Sequence, residues 1–456
     1  MTTSIRRSAA SRSRRLAFGG VAAAAALVLA ACGSSGGGST TSSAAPSSTE
    51  EPSGTIKVWA QQGQPGEVKA VQDAVAEFNS SQSKIKVELT LLPQATYGQT
   101  IATTPVDKLP DAFEFDGETL GALVYAQKLA PLEGVVSQEA LDAQLPSLKA
   151  LGTYPGDGKR YSVSQYDSGL GLWGNKALLS AAGVTDIPTT IDAAWSAQEF
   201  YDVVTKVAGT LKGGKGLDIK ENYAGTWPGY AFTPIVNGAG FPLVNDGSAN
   251  GNLNAPAVAT ALTDFSKMRA LTDPNTDDKA FTGKRVALSW CGHWCYPDYS
   301  KALGDDLVLI PLPNFGIGTK SGQGSHSWAA SAGSQNLPAA GKFLDFVVAD
   351  AQITAVTDAN GAVPGTESAI AASANYKQGG PLALYADQLA KSCGSNPPTQ
   401  DCVTVPRTIS PAWPVINDKY SQAFWNIWKG ADAQAELDKA AKAIDLDYAD
   451  NDGYQS

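Results

Sequence analysis

Apolar and polar positions follow two different periods along the chain. Residues 54–60 and 85–91 alternate as a half-buried strand does, and residues 67–79 between them repeat apolar side chains every three or four positions. A strand, a helix and a strand at this spacing predict a βαβ unit with parallel strands. Because both patterns recur downstream, the sequence predicts an α/β fold.

The later segments continue this alternation of strands and helices. Further strands are expected at 110–116, 307–311 and 325–332, and further helices at 119–129, 175–183, 195–208, 256–271, 339–356, 415–428 and 431–446. Residues 161–175 form a long strand-like run with an unusually polar middle around Gln165. Such a run is typical of a segment that passes from one domain into the next.

Residues 283–295, GKRVALSWCGHWC, concentrate rare side chains. The apolar residues 286–288 predict a short buried strand that breaks near Gly292, where a helix is expected to begin. Large aromatic residues beyond such a break can form one wall of a pocket, since ligands of open α/β sheets bind beyond the carboxyl ends of strands. The alternative is that Trp290 and Trp294 belong to the core.

The N-terminus has the layout of an exported lipoprotein. Residues 1–31 contain five arginines, no acidic residue and an apolar stretch over 16–31, which predicts a signal peptide. The end of this segment, Leu-Ala-Ala before Cys32, resembles a bacterial lipobox in which Cys32 becomes the lipidated N-terminus. The alternative is an ordinary signal peptide with an incidental cysteine. Residues 32–53 are expected to be the lipidated cysteine and a flexible tether rich in Ser and Gly.

Length and charge narrow the class of protein. A chain of 456 residues is too long for one compact core, so two or more domains are expected. Without the signal peptide, 29 basic residues face 44 acidic ones, a net charge of −15. A body this acidic is unsuited to nucleic acid, and beyond the signal peptide the sequence has no apolar stretch long enough for a membrane span.

Four cysteines remain if Cys32 carries lipid. Export exposes them to an oxidising environment, so disulfides are expected, and three pairings are possible. The pairings between near neighbours are favoured, Cys291 with Cys295 and Cys393 with Cys402. A zinc site that uses His293 is the alternative, but its ligand spacing is not that of a structural zinc site.

Several motifs occur together in a fixed order. GTIKVWA is followed by a helix and IKVELTLLP, and then by LPDAFEFDGETLGALVYAQKLAPLEG. GKRYSVSQYDSGLGLWGNKALLSAAGV with PTTIDAAW comes next, and GKRVALSWCGHW lies further on. Together these segments resemble the extracellular solute-binding proteins of bacterial ABC importers, in the carbohydrate-binding, maltose-binding-protein-like family (family 1).

The resemblance implies a two-lobe periplasmic-binding-protein-like α/β fold with a ligand cleft between lobes joined by crossing hinge strands. Lobe one is expected to comprise 54–163 and 326–368, and lobe two 164–325 and 369–456. The implied protein is a monomer held at the extracellular face of the cell membrane through its N-terminal lipid. It is not an enzyme, uses no cofactor or metal, and delivers a sugar, expected to be a di- or oligosaccharide, to the transmembrane permease subunits of an ABC importer.

A sugar offers apolar C–H faces and a rim of hydroxyls, which suit aromatic rings and planar polar groups. The candidate aromatic residues are Trp227, Tyr230, Trp294, Trp328 and Trp413, and the resemblance places Tyr230, Trp294 and Trp413 where the family stacks sugars. The candidate polar residues are Gln61, Asp116, Tyr166, Asp167, His326 and Arg407. The alternatives are core packing for the aromatic residues, helix capping for Asp116, strand packing for His326 and a surface ion pair for Arg407.

Other functions were weighed against the sugar receptor. An exported glycoside hydrolase needs two carboxylates that face each other across a cleft, and no pattern in the sequence pairs two of them. A surface adhesin or metal carrier is a third possibility, but two histidines and no cluster of Met or Cys beyond the expected disulfides disfavour metal. A binding protein for a non-sugar small solute remains open.

Overall fold

The computed structural model describes residues 51–394 and 396–454. The predicted signal peptide, the lipidated Cys32 and the tether as far as residue 50 lie outside the described residues. Among the helices of the described part, none is both long and apolar enough to cross a membrane.

Strands and helices alternate through the described residues. The strands are β1 (Gly54–Gln62), β2 (Ile85–Pro93), β3 (Ala112–Asp116), β4 (Tyr166–Asp167), β5 (Leu170–Asn175), β6 (Leu217–Asp218), β7 (Leu288–Gly292), β8 (Leu307–Ile310), β9 (Ser321–Gln323), β10 (His326–Ala330), β11 (Val363–Pro364) and β12 (Thr404–Pro406). The helices are α1 (Pro65–Ser81), α2 (Gln94–Thr103), α3 (Leu120–Tyr125), α4 (Gln138–Ala143), α5 (Pro146–Gly152), α6 (Lys176–Ala181), α7 (Ala197–Thr210), α8 (Pro228–Ala231), α9 (Thr233–Gly238), α10 (Pro256–Ser266), α11 (Tyr296–Leu303), α12 (Leu337–Val347), α13 (Asp350–Asn360), α14 (Glu367–Ala372), α15 (Ala383–Leu389), α16 (Trp413–Trp428) and α17 (Ala433–Asp450).

Lobe one is built on a sheet with the strand order β10-β3-β1-β2. β1 runs parallel to β2 and β3, and β10 runs antiparallel to β3. Ile56, Val58 and Ala60 alternate along β1 and are fully buried, and they share a hydrophobic cluster with Val75 and Phe78 of α1. The predicted βαβ unit at the start of the body is therefore confirmed.

Lobe two is built on a second sheet with the order β6-β7-β5-β8. β5 runs antiparallel to both β7 and β8, while β6 runs parallel to β7. Trp290 of β7 is fully buried and contacts Phe232 and Phe265, and Phe424 of α16 stacks on Phe232 with ring centroids 4.3 Å apart. The core of this lobe is thus an aromatic cluster between the sheet and helices α8, α10 and α16.

The chain passes between the two sheets along paired segments. Residues 163–170 lead from lobe one into β5, and residues 321–328 return to β10. The two segments are antiparallel neighbours, with bridges from Val163 to Trp328 and from Gly169 to Gln323. β11 pairs with β4 beside them. Two lobes joined by crossing strands are therefore confirmed, while the residue boundaries assigned to the lobes stay a prediction.

The single helix predicted over 339–356 is wrong. The structure has two helices, α12 and α13, and the chain is extended at Ala349, with a ψ angle of 148°. Phe343 and Leu344 of α12 are buried in the cluster of the first sheet, whereas α13 packs against α1. Because no proline or glycine marks the break, the sequence pattern did not show the change in direction.

Three other segments differ in extent. The strand-like run over 161–175 is divided into β4 and β5, the helix predicted over 119–129 is only α3 with a 3-10 turn before it, and the strand predicted at 286–288 is β7, which continues to Gly292. Between β4 and β5, the hydroxyl of Ser168 contacts a ring nitrogen of His293 at 3.0 Å instead of continuing a ladder. Polar side chains that bond across the crossing explain the break in the strand.

Both favoured disulfides are present, Cys291–Cys295 and Cys393–Cys402. The first joins the end of β7 to the residue before α11, and it encloses a 3-10 turn over His293–Cys295. The zinc alternative fails because both cysteines of this turn are bonded to each other.

Candidate ligand-binding site

A cavity of about 540 Å³ lies between the lobes. Lobe one contributes Asp116 and Glu118 from the end of β3, and the crossing segments contribute Tyr166 and His326. Lobe two contributes an aromatic wall described below. The cavity therefore occupies the position where hinge motion of the lobes would open and close it.

The aromatic wall consists of Tyr223, Trp227, Tyr230 and Trp294, all of which line the cavity and are partly exposed. The ring centroids of Trp227 and Trp294 are 5.9 Å apart, and those of Tyr230 and Trp294 are 6.2 Å apart. The indole N–H of Trp294 donates to the Tyr223 hydroxyl at 3.2 Å, and that of Trp227 donates to the Ile219 carbonyl at 3.0 Å. Since the indole donors are satisfied within the protein, these rings offer the cavity apolar surface.

Gly292 allows Trp294 to take its place in this wall. A Cβ atom at position 292 would lie 2.0 Å from Cζ3 of the indole. No side chain larger than hydrogen fits there, so the ring folds back over the end of β7. The predicted glycine break in the strand is thus the feature that presents Trp294 to the cavity.

His326 is the centre of a charged group at the lobe-one side. Its Nε2 atom is 3.1 Å from Oδ1 of Asp116, and its Nδ1 atom is 3.4 Å from Oε1 of Glu114 and 3.1 Å from the Tyr166 hydroxyl. Burial alone would lower the pKa of His326, but hydrogen bonds to the two carboxylates outweigh it and hold the pKa well above its ordinary value. The side-chain amide of Gln61 contacts the same ring.

The carboxyl of Asp116 stays ionised in this group. Burial opposes ionisation, but the hydrogen bond from His326 and the charge of Arg407 hold the pKa of Asp116 below its ordinary value. His326 and Asp116 therefore form an ion pair whose polar edge faces the cavity.

Arg407 links Glu118 of lobe one to Tyr230 of the aromatic wall. Its Nη1 atom donates to Oε1 of Glu118 at 2.6 Å, and its guanidinium carbon lies 4.6 Å from the centroid of the Tyr230 ring. Gly324 makes room for it: the backbone there has a φ of +131°, and a Cβ would lie 2.6 Å from Nη2 of Arg407. The guanidinium consequently lies against the crossing segment.

His293 is the neutral counterpart of His326. Its Nδ1 atom is 3.0 Å from the Asn360 carbonyl, and its Nε2 atom is 3.0 Å from the Ser168 hydroxyl. Burial lowers the pKa of His293 to about 4. The carbonyl requires a proton on Nδ1, so Nε2 accepts from Ser168 and the ring links the turn after β7 to the crossing segment.

The structure brings most of the sequence-predicted residues to one cavity. Those that line it are Asp116, Tyr166, Trp227, Tyr230, Trp294, His326 and Arg407. Gln61 lies behind His326. Asp167 is fully buried in the crossing, where its carboxylate accepts from the backbone N–H of Ser168 at 2.8 Å.

Two of the predicted aromatic residues lie elsewhere. Trp328 and Trp413 are each 2% exposed and pack in hydrophobic clusters, Trp328 in lobe one and Trp413 in lobe two. The Trp328 indole donates to the side-chain oxygen of Gln165 at 3.1 Å. The assignment of Trp328 and Trp413 to the ligand-binding site is therefore corrected. Both pack in the core, which was the alternative for every aromatic candidate.

Several residues that line the cavity were missed as ligand-binding candidates, among them Glu118, Tyr223 and His293. Glu118 lies two positions after Asp116. Because Asp116 ends a strand, the turn that follows it, which carries Glu118, could have been included among the candidates. His293 was considered only as a zinc ligand, although it precedes Trp294 directly. Tyr223 lies just before the aromatic-rich segment and carries no distinctive pattern.

A second cavity of about 540 Å³ adjoins the first. The two share Gln64, Tyr223, Asp278 and Trp294 as lining residues. Trp294 therefore lies where the two cavities adjoin, and together they provide a longer binding space than either cavity alone.

Two lobes, crossing strands and a cleft lined by aromatic and paired polar groups define a two-lobed solute-binding protein. A family model described as bacterial extracellular solute-binding protein matches residues 73–383, and the chain belongs to this family. This family consists of binding proteins, so the chain is a binding protein and not an enzyme. No curated protein sequence matches the chain.

Solved structures with the same fold cover nearly all of the described chain. The GacH receptor of Streptomyces glaucescens, solved unliganded and with acarbose, is 22% identical with a TM-score of 0.68, covering 88% of this chain and 98% of its own. The cyclic α-maltosyl-1,6-maltose binding protein of Arthrobacter globiformis is 20% identical with a TM-score of 0.68, covering 86% and 98%. The maltotriose-bound MalE domain of Bdellovibrio bacteriovorus is 19% identical with a TM-score of 0.68, covering 87% and 100%.

Proposed function

We propose that this protein captures a di- or oligosaccharide and delivers it, unchanged, to the permease of a bacterial ABC importer. The observation that carries the proposal is the pairing of an aromatic wall with charged, hydrogen-bonding groups across one cavity. Aromatic rings suit the C–H faces of a sugar ring, and the Arg407 and Asp116 groups suit its hydroxyls. The sugar ligands named for the matched structures support the same class of ligand.

The size of the ligand follows from the two adjoining cavities. Each measures about 540 Å³, within the range of pockets that hold drug-sized molecules. Because Tyr223 and Trp294 line both cavities, a ligand that extends from one cavity into the other would contact them. This arrangement favours two or more sugar units over a monosaccharide.

The export and anchoring of the protein rest on the sequence of its first 53 residues. A basic segment, an apolar segment and Cys32 support lipidation, and the Ser- and Gly-rich stretch supports a tether to the membrane surface. We infer a lipid-anchored monomer at the extracellular face. Replacing Cys32 by Ser in cells should release the protein from the membrane fraction, and retention of the variant there would contradict lipid anchoring.

The function is tested by thermal shift with purified protein and separate sugars, amino acids, polyamines and metal ions. A ligand that binds the folded state raises the melting temperature by mass action. We expect a rise with maltotriose or another oligosaccharide and none with the other classes. Release of smaller sugars after incubation would instead indicate a hydrolase.

A further inference from the structure

Three buried polar atoms belong to neighbouring residues of the cavity wall, where Arg407 contacts both Glu118 and Tyr230. They are Oε2 of Glu118, Nε of Arg407 and the hydroxyl of Tyr230, and none has a hydrogen-bond partner among the described residues. The Glu118 side chain is only 8% exposed and that of Arg407 only 12%. Buried polar atoms are nearly always hydrogen-bonded, so three unpartnered atoms on residues that line one cavity are candidates for hydrogen bonds to a ligand.

The three residues hold one another in place. Nη1 of Arg407 and Oε1 of Glu118 are 2.6 Å apart, and the guanidinium lies over the Tyr230 ring at 4.6 Å. The ion pair engages Oε1 of Glu118 and leaves Oε2 without a partner. The contact with the Tyr230 ring leaves the N–H at Nε of Arg407 without an acceptor. The geometry is therefore fixed before a ligand arrives, which reduces the entropy cost of binding.

The donor and acceptor roles of these atoms select the ligand group. Nε of Arg407 can only donate, an ionised Glu118 can only accept, and the Tyr230 hydroxyl can do either. A ligand hydroxyl both donates and accepts, so it can satisfy Glu118 and Arg407. An ammonium group would be repelled by Arg407, and a carboxylate or phosphate group would be repelled by Glu118.

We propose that Glu118, Arg407 and Tyr230 form a subsite for uncharged hydroxyl groups of the ligand, in which Glu118 is a specificity-determining acceptor. The inference rests on the proposed function, because it deepens the description of the same cleft. A site built to hydrogen-bond a hydroxyl rejects ligands that lack it strongly, since the buried partners are then left unpaired.

The charge state of Glu118 gives the subsite a measurable signature. Burial raises the pKa of Glu118 to about 7, with Arg407 opposing the rise and Asp116 adding to it. The charged and titratable groups that face it are Asp116, His326, Arg407 and Tyr230. A hydroxyl that donates to Glu118 binds the ionised form better. Affinity should therefore rise as pH increases toward about 7 and level off above it.

The test is calorimetric titration of maltose, maltotriose, cellobiose and trehalose at pH 5.5, 6.5, 7.5 and 8.5. For any of these sugars that binds the wild type, Glu118→Gln should weaken binding about tenfold or more at pH 8.5 and flatten the dependence on pH. Tyr230→Phe, which removes only the hydroxyl, should weaken binding by a smaller factor and keep the dependence on pH. Glu139→Gln, an exposed match on α4, should behave as the wild type.

The outcomes separate the two claims. If a sugar binds and Glu118→Gln retains both the affinity and the dependence on pH, the hydroxyl subsite is wrong while the sugar receptor stands. Should Glu118→Gln fail to fold, unchanged affinity in Tyr230→Phe would overturn the subsite. If neither these four sugars nor any oligosaccharide of the thermal-shift screen binds the wild type, the subsite is overturned together with the proposed function.

Discussion

His326 and Asp116 are register partners on the antiparallel strands β10 and β3, and Nε2 of the histidine lies 3.1 Å from Oδ1 of the aspartate. The pair stands where the return crossing enters the first sheet. The antiparallel pairing of β10 with β3 thus places the cationic ring of His326 beside the carboxylate of Asp116 at the wall of the cavity. The two histidines of the chain have opposite electrostatic environments, because His326 faces carboxylates and His293 faces a carbonyl and a hydroxyl.

The raised pKa of His326 predicts a dependence of stability on pH. Its pKa in the folded state lies above 6.5, so protonated His326 contributes stability that is fully present below pH 6.5 and lost as pH rises through the raised pKa. The free energy of unfolding of His326→Gln should be lower than that of the wild type. The difference between the two proteins should be largest at low pH and should shrink as pH rises. Urea unfolding from pH 5 to pH 9 measures it, and a constant difference would contradict the ion pair.

His293 should show the opposite sign. Its folded-state pKa of about 4 lies below 6.5, so neutral His293 contributes stability that is lost as pH falls from 6.5 through 4. The loss amounts to roughly 3 kcal/mol over that interval. His293→Gln should remove this part of the acid sensitivity in a urea series extended down to about pH 3.5. If the free energy of unfolding of the variant depended on acidic pH in the same way as that of the wild type, His293 would not be buried as a neutral ring.

Trp294 and Trp413 should separate binding from stability. Trp294→Ala removes a ring that lines both cavities, so we expect sugar affinity to fall about 30-fold, the ratio that corresponds to a 2 kcal/mol loss. Trp413→Ala leaves a void in the core and should cost about 3–5 kcal/mol of unfolding free energy. Calorimetry and urea unfolding of both variants test the pair. A larger loss of affinity in a well-folded Trp413→Ala than in Trp294→Ala would contradict this placement.

The disulfide around the turn should affect binding through the residues it encloses. Loss of Cys291–Cys295 by a double substitution to Ser frees the turn that carries His293 and Trp294, so affinity should fall by about tenfold. The matched control removes Cys393–Cys402, which encloses no residue of the cavity wall. Equal effects of the two double variants on affinity would show that the first disulfide has no positioning role.

Gly292→Ala should act on the same wall by a steric route. The added methyl would lie 2.0 Å from the Trp294 ring, which must move away from its position. We expect weaker sugar binding and a changed tryptophan fluorescence. Gly209→Ala is the matched control, because a Cβ there meets nothing within 4 Å. Unchanged affinity in Gly292→Ala would mean that the position of this ring is unimportant.

The strands and long helices could be predicted because their apolar periods are local. The break at Ala349 could not, since no proline or glycine marks the point where α13 turns away to pack against α1. The cavity residues near strand ends, Asp116 and Trp294, were predictable for the same local reason. Trp413 was assigned to the cavity from the family resemblance, and the sequence alone could not show that its ring faces the core.

The role of Glu118 depends on a partner 289 positions away. No local pattern in the sequence connects Glu118 to Arg407. Both are buried charged residues, and their ion pair is seen only when the two lobes are placed against each other. Pairing across the cleft is therefore the part of the site that required the structure.

The central claim is that the cleft binds an oligosaccharide reversibly on the aromatic wall. Calorimetric titration of wild type and Trp294→Ala with the sugar that gives the largest thermal shift tests it most directly. We expect one-to-one binding to wild type, recovery of the sugar intact, and affinity about 30-fold weaker in the variant. Equal affinity in the two proteins, or no binding of any oligosaccharide to the wild type, would contradict it.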